Sequence, residues 1–113
     1  AAHGLVERAR QNRLTLEDVR GATFTVNNTG ALGTVLSRPI VPPDQAGILT
    51  MEAITRRLVV SGNGEELNLT APPTLSVRFC MNLCLSFDHR ILDGAEAAAF
   101  LQTVRQQLEA FAP

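Results

Sequence analysis

The chain contains no lysine: all ten of its basic residues are arginine. A Walker-type phosphate loop, a Schiff-base lysine and any lysine-attached cofactor are therefore excluded from these 113 residues. Cysteine is nearly as scarce, with only Cys80 and Cys84. Four residues of strand span roughly 13 Å, beyond disulfide reach, and two thiols are too few for a zinc site. Both read as reduced, semi-buried thiols of a cytoplasmic protein. A charge excess is missing too, since the net charge is −1, and nothing points to nucleic acid or a membrane surface. No apolar run approaches the roughly 20 residues of a membrane span. The first residues also lack the charged-then-apolar pattern of a secretion signal. Without a secretory context, the triplets Asn27-Asn28-Thr29 and Asn68-Leu69-Thr70 carry no weight as glycosylation acceptors.

What remains suits a single domain with a modest core, at 45% hydrophobic residues. Residues 1 to 13 set Leu5, Val6 and Ala9 among Glu7, Arg8, Arg10 and Arg13, the tail of an amphipathic helix that starts abruptly. Thr15, with Asp18 three residues on, predicts a short helical turn over Leu16 to Val19, stopped by Gly21. Thr23 to Asn27 alternates as a short strand, and Asn28, Thr29, Gly30 and Gly33 make a loop. Pro39, Pro42 and Pro43 keep the next stretch extended. Strands are expected over residues 45 to 51 and 54 to 60, the second closed by a Ser61-Gly62-Asn63-Gly64 turn.

The clearest pattern runs from Thr74 to Phe87. Leu75, Val77, Phe79, Met81, Leu83, Leu85 and Phe87 alternate with smaller or polar residues, which predicts one long strand with one apolar face. From Gly94 the period becomes helical: Ala97, Leu101, Val104, Leu108 and Phe111 draw one stripe. The expected fold class is α/β of the α+β layered kind, a mixed β-sheet packed by helices. A chain that opens within a helix is expected to be part of a larger domain, its apolar surfaces completed by another chain or by further residues.

The chemistry concentrates at Asp88-His89-Arg90-Ile91-Leu92-Asp93-Gly94, where the long strand stops and the helix begins. His89 at a strand end is placed to exchange protons with a bound substrate, and its unperturbed pKa lies near neutrality. It also reads as an ordinary surface histidine. Asp93, with Glu96 three residues on, is a helix-capping signature, compatible with a further role in holding local geometry. Arg90 is either a solvated charge or a partner for Asp88 or Asp93. His3 is given no role, and no metal site is expected, because no other His and no Cys lies at chelating spacing.

Ser86-Phe87-Asp88-His89-Arg90-Ile91-Leu92-Asp93-Gly94-Ala95 closely resembles the signature of the dihydrolipoamide acyltransferase component of 2-oxo acid dehydrogenase complexes, including the pyruvate dehydrogenase complex. Chloramphenicol acetyltransferase has a related His-x-x-x-Asp-Gly element. Gly21-Ala22-Thr23-Phe24-Thr25-Val26-Asn27-Asn28 is similar to that family's glycine-led strand, and Pro39-Ile40-Val41-Pro42-Pro43-Asp44-Gln45-Ala46 to its proline-rich loop. The resemblance covers most of residues 14 to 111.

It implies that residues 1–113 form the C-terminal part of a coenzyme A-dependent acyltransferase domain. The N-terminal half, the lipoyl domain and the subunit-binding domain would lie elsewhere. It further implies His89 as general base on the coenzyme A thiol, Asp93 as a support of the site, and acyl transfer to or from a lipoyl group on a separate domain. Asn27 stands where the family has an oxyanion-binding Ser, and an amide N–H can donate in its place. Asn28 matches a residue near the coenzyme. Both asparagines equally suit a plain turn. Leu49-Thr50-Met51-Glu52 departs from the family's glycines after this strand. The implied partners are acyl-carrying lipoyl domains and further copies, in a homotrimer or larger core, with His89 of one copy facing Asn27 of another.

Two other readings stay open. One is a catalytically impaired copy that keeps only an assembly role as an oligomeric scaffold. The other is a condensation-type acyl carrier enzyme, a group that usually carries a second His where this chain has Asp88.

Overall fold

A computed structural model describes residues 2–61 and 74–111. The chain opens with α1 (Ala2–Arg10) and α2 (Leu16–Val19), followed by β1 (Phe24–Asn28) and a single 3-10 turn at Gly30–Leu32. Strands β2 (Gly47–Met51), β3 (Thr55–Ser61), β4 (Thr74–Cys80) and β5 (Leu83–Phe87) lead into α3 (Gly94–Ala110). The mixed α/β arrangement read from the pattern is the one observed. The expected Gly62-Asn63-Gly64 turn and the Asn68-Leu69-Thr70 triplet lie outside the described residues.

Two sheets result. The first has order β1-β2-β5, with β1 parallel and β5 antiparallel to the central β2. The second is the β3–β4 antiparallel pair. Thr74–Phe87 is therefore not one strand, as its alternation suggested, but two strands in different sheets, interrupted at Met81 and Asn82.

Asn82 accounts for the break. Its carbonyl accepts the Glu52 N–H at 3.1 Å, while its side chain donates to the Val35 carbonyl at 2.8 Å and accepts from Arg57 at 2.9 Å. Those bonds take the place of ladder pairing, so the chain leaves one sheet and enters the other.

Within the three-stranded sheet, alternation gives two unlike faces. Phe24, Val26, Leu49, Leu85 and Phe87 share the face that α3 covers, where Phe24 meets Phe100 edge-on at 5.8 Å. Thr25, Asn27, Ile48, Thr50, Cys84 and Ser86 share the other.

The core is thin: Ile48, Leu49 and Ala97 are its buried apolar residues among those described. The α3 stripe holds for half its length. Ala97 is buried and Leu101 and Val104 are half-buried, but Leu108 and Phe111 are exposed. On the β3–β4 pair, Leu58, Val60, Leu75, Val77 and Phe79 form an apolar face, each 61% to 70% exposed. The radius of gyration is 18.2 Å, against roughly 13 Å for a compact domain of this length. An open apolar face of this kind is the sort of surface that another chain or further residues cover.

The amino-terminal helices have a partner that the sequence did not reveal. Arg8 of α1 forms an ion pair with Asp18 of α2, and Asp18 also accepts from the Thr15 backbone and hydroxyl, both at 3.0 Å. The Arg8 bond is the main reason the Asp18 carboxyl is held at about 2. Both cysteines are free thiols, Cys80 ending β4 and Cys84 lying within β5.

Candidate active site

The strand-to-helix junction is built by Asp88. Its backbone N–H donates to Ala46 at 2.9 Å, one more rung beyond the β2–β5 ladder. Its carbonyl then accepts from Ile91 at 3.0 Å and Leu92 at 3.2 Å, which closes a turn with His89 and Arg90 at the apex. Its carboxylate accepts from the Arg90 backbone at 3.0 Å and from the guanidinium at 3.0, 3.1 and 2.6 Å. Arg90 thus pairs with Asp88, the choice the sequence left open. Those Arg90 bonds hold the Asp88 carboxyl at about 2, well below its ordinary 3.8.

His89 is exposed on this turn, its ring resting against Phe87 at 5.5 Å between centroids. Among the described residues it makes no hydrogen bond, so both ring nitrogens remain open to a ligand. The structure gives Asp93 the capping role: its Oδ1 accepts from Glu96 N at 2.9 Å, and Glu96 Oε2 accepts from Asp93 N at 3.1 Å. This reciprocal pair fixes where α3 starts, and with it the return path of the His89 turn.

Asn27 and Asn28 end β1 and are exposed. Asn27 Oδ1 accepts the Asn28 backbone N–H at 2.9 Å, and Asn28 Oδ1 accepts from Ala31 at 3.2 Å. The turn reading is thus realised through the two carbonyl oxygens. Each Nδ2 donor group is left without a partner among the described residues, which is the chemistry an oxyanion or a ligand carbonyl requires.

His89 and Asp93 stand at one end of the sheet; Asn27 and Asn28 stand at the other. Phe24, Gly47 and Phe87 share one row. Asn27 lies three residues beyond that row in one direction and His89 two residues beyond it in the other. By strand rise alone the separation is on the order of 17 Å, too far for one chain to place both on a single reacting carbonyl.

Sequence reasoning missed a polar cluster beside Asn28. Glu52, directly after β2, is 2% exposed. Its carboxylate accepts from Ser37 Oγ at 2.5 Å and from Thr29 Oγ1 at 2.9 Å. These donors, Ser37 foremost, keep its pKa below 4.5 despite the opposing effect of burial. One signal was available: a glutamate where the resemblance calls for glycine, at the end of an apolar strand. Beside it, Asn27, Thr50 and Cys84 stand in register across the three strands, and the Thr50 hydroxyl is buried without a partner among the described residues.

Comparison with known proteins places this architecture. The chain is 46% identical over 106 residues to the lipoamide acyltransferase component of the branched-chain alpha-keto acid dehydrogenase complex of Bacillus subtilis, covering 94% of this chain and 23% of that protein. Among solved structures, a probable dihydrolipoamide acetyltransferase from Listeria monocytogenes superposes with a TM-score of 0.78 at 41% identity, over 96% of this chain and 42% of its own. The dihydrolipoamide acetyltransferase of Azotobacter vinelandii, whose catalytic mechanism has been investigated at a serine, a histidine and an asparagine, gives 0.78 at 30% identity over 96% and 41%. The cubic core of a pyruvate dehydrogenase multienzyme complex gives 0.71 at 31% identity over 89% and 37%. The chain therefore spans about a quarter of the curated relative and about two fifths of the solved neighbours. The family model for the catalytic domain of 2-oxoacid dehydrogenase acyltransferases matches residues 1–113, and the chain belongs to that family.

Proposed function

We propose that this chain supplies the base and the oxyanion donor for acyl transfer between a lipoyl thioester and coenzyme A. The observation that carries this reading is the exposed imidazole of His89, held past the end of β5 on a turn that Asp88 closes and Asp93 backs. His89 removes the proton of the coenzyme A thiol, whose pKa near 8.5 makes it an easy donor to neutral imidazole. The thiolate attacks the acyl carbonyl of the lipoyl thioester, and the C=O electrons move onto oxygen. Asn27 Nδ2 of a neighbouring copy donates to that oxyanion, a contribution worth about 3 kcal/mol in acyl transfer generally. Collapse expels the dihydrolipoyl sulfur, which takes its proton back from the imidazolium, and the acyl group leaves on coenzyme A.

Asn28, by its place beside Asn27, contributes to the coenzyme contact. The lipoyl group arrives on another domain, since these residues contain no lysine to carry it. Two copies are needed because His89 and Asn27 lie at opposite ends of one sheet, and similarity to a cubic core supports assembly into a homotrimer or larger shell. Cytoplasmic location is part of the same reading.

A second reading, an assembly role without turnover, is favoured by one feature: the open apolar face of Leu58, Val60, Leu75, Val77 and Phe79. Transfer of acetyl from acetyl coenzyme A to dihydrolipoamide separates the two. The comparison uses this chain, a version extended to the length of its solved neighbours, and His89→Ala in that version. Catalysis predicts activity in the extended version and a loss of 10²-fold or more in His89→Ala, roughly the scale of losing a general base. Silence of the extended version would leave only the assembly role.

A further inference from the structure

We infer that Glu52 is a positioning residue, a buried carboxylate that clamps the turn carrying Asn27 and Asn28 and ties it to β5. The inference rests on the acyl-transfer reading for its consequence and on geometry for the clamp itself. Glu52 gathers hydroxyl donors from two separate segments: Thr29 in the turn and Ser37 in the loop beyond it. Its own backbone is gripped as well, for Glu52 N donates to Asn82, and the adjoining Ala53 N donates to Thr34 at 2.7 Å.

No cation faces this carboxylate among the described residues, so two hydroxyl donors carry the cost of taking a charge out of water. A hydrophobic side chain would fill the same space without that cost. What it could not do is fix Thr29, and Thr29 immediately follows the two exposed asparagines whose Nδ2 groups have no partner among the described residues. Through its backbone N–H, bonded to the Asn82 carbonyl at 3.1 Å, the same residue holds the start of the strand that delivers His89. Glu52 therefore sets the exit direction of β1 and couples it to the strand leading to the base. It touches no substrate and acts through Asn27.

The test uses the extended version described above, with Glu52→Gln, which halves the accepting capacity, and Thr29→Val, which removes one donor with little change of shape. Amide hydrogen exchange is read at Leu32, Gly33 and Ala53, all hydrogen-bonded within or against the turn, and along the β2–β5 ladder. In both variants the turn amides are expected to exchange about ten-fold faster with the ladder unchanged. The kcat for dihydrolipoamide is expected to fall 10- to 100-fold with KM within about two-fold, the scale of a misplacement near 1 Å.

Unchanged turn amides, or acceleration spread evenly over the ladder, would overturn the clamp. Local acceleration with an unchanged kcat would overturn the positioning role. Asn27→Ala, assayed alongside, judges the other reading by itself. If it keeps full kcat, Asn27 is not the oxyanion donor, while Glu52 is still decided by its own exchange and rate. Should the parent show no activity, the acyl-transfer reading falls and exchange alone decides the clamp.

Discussion

Gly30→Ala probes the contact between the turn and β2 at its tightest point. A Cβ at Gly30 would lie 2.3 Å from the Glu52 carbonyl carbon, 2.4 Å from its oxygen and 2.5 Å from Ala53 N. Carbon needs about 3.5 Å or more, so the turn must retreat by roughly 1 Å. The obstacle is backbone just past the central strand, so no side-chain rotation relieves it. Retreat strains the Thr29–Glu52 bond at 2.9 Å and the Ala53–Thr34 bond at 2.7 Å.

Overpacking of this kind costs typically 1–3 kcal/mol, and a backbone obstacle argues for about 3 kcal/mol. In the extended version, more than twice this length, that is a fall in Tm of roughly 9 °C. Gly33→Ala is the internal control. Gly33 has φ 87° and open space around it, so a methyl there meets only the left-handed backbone penalty, about 1 kcal/mol or roughly 3 °C. Thermal unfolding of the extended version, followed by far-UV circular dichroism, measures both. If Gly30→Ala is no less stable than Gly33→Ala, the close approach of turn to strand does not exist in solution.

The junction offers two more tests. Asp93→Ala removes the cap and is expected to cost about 1 kcal/mol, whereas Asp93→Asn caps as well and should keep both stability and most of kcat. A large loss of kcat in Asp93→Asn with unchanged Tm would show that the charge, not the cap, is what matters. Asp88 has a folded pKa of about 2 against an ordinary 3.8. Its contribution to stability is therefore complete above 3.8 and is lost as pH falls through about 2. In Arg90→Gln the Asp88 carboxyl should titrate back toward 3.8 by NMR, and an unmoved titration would show that Arg90 is not its partner in solution.

Much of the fold was legible because alternation reports burial directly. Phe24, Val26, Leu83, Leu85 and Phe87 declare their face by spacing alone. The interruption at Met81 and Asn82 was invisible for the same reason. A two-residue break preserves the parity of a two-residue period, so Phe79 and Leu83 stay in phase across strands of different sheets. What ends β4 is the bonding of Asn82 to Val35, Glu52 and Arg57, which are distant in sequence. The capping role of Asp93 could be read because its partner Glu96 is three residues away. The clamping role of Glu52 could not, because Thr29 and Ser37 converge on it from segments distant in sequence.

The pairing of His89 with Asn27 shows where motif reading stops and topology begins. Each side chain has suitable chemistry, although Asn27 stands where the resemblance calls for a serine. Yet β1 runs parallel to β2 and β5 runs against it, so residues that end β1 and residues that follow β5 leave the sheet in opposite directions. No adjustment of rotamers closes a gap of roughly 17 Å. If the two serve one thioester, they do so from different copies. The apolar face on the β3–β4 pair is consistent with a chain whose surfaces are finished by neighbours. Its catalytic competence would then belong to an interface, and Glu52 would govern activity by aiming each copy's asparagine at the next copy's histidine.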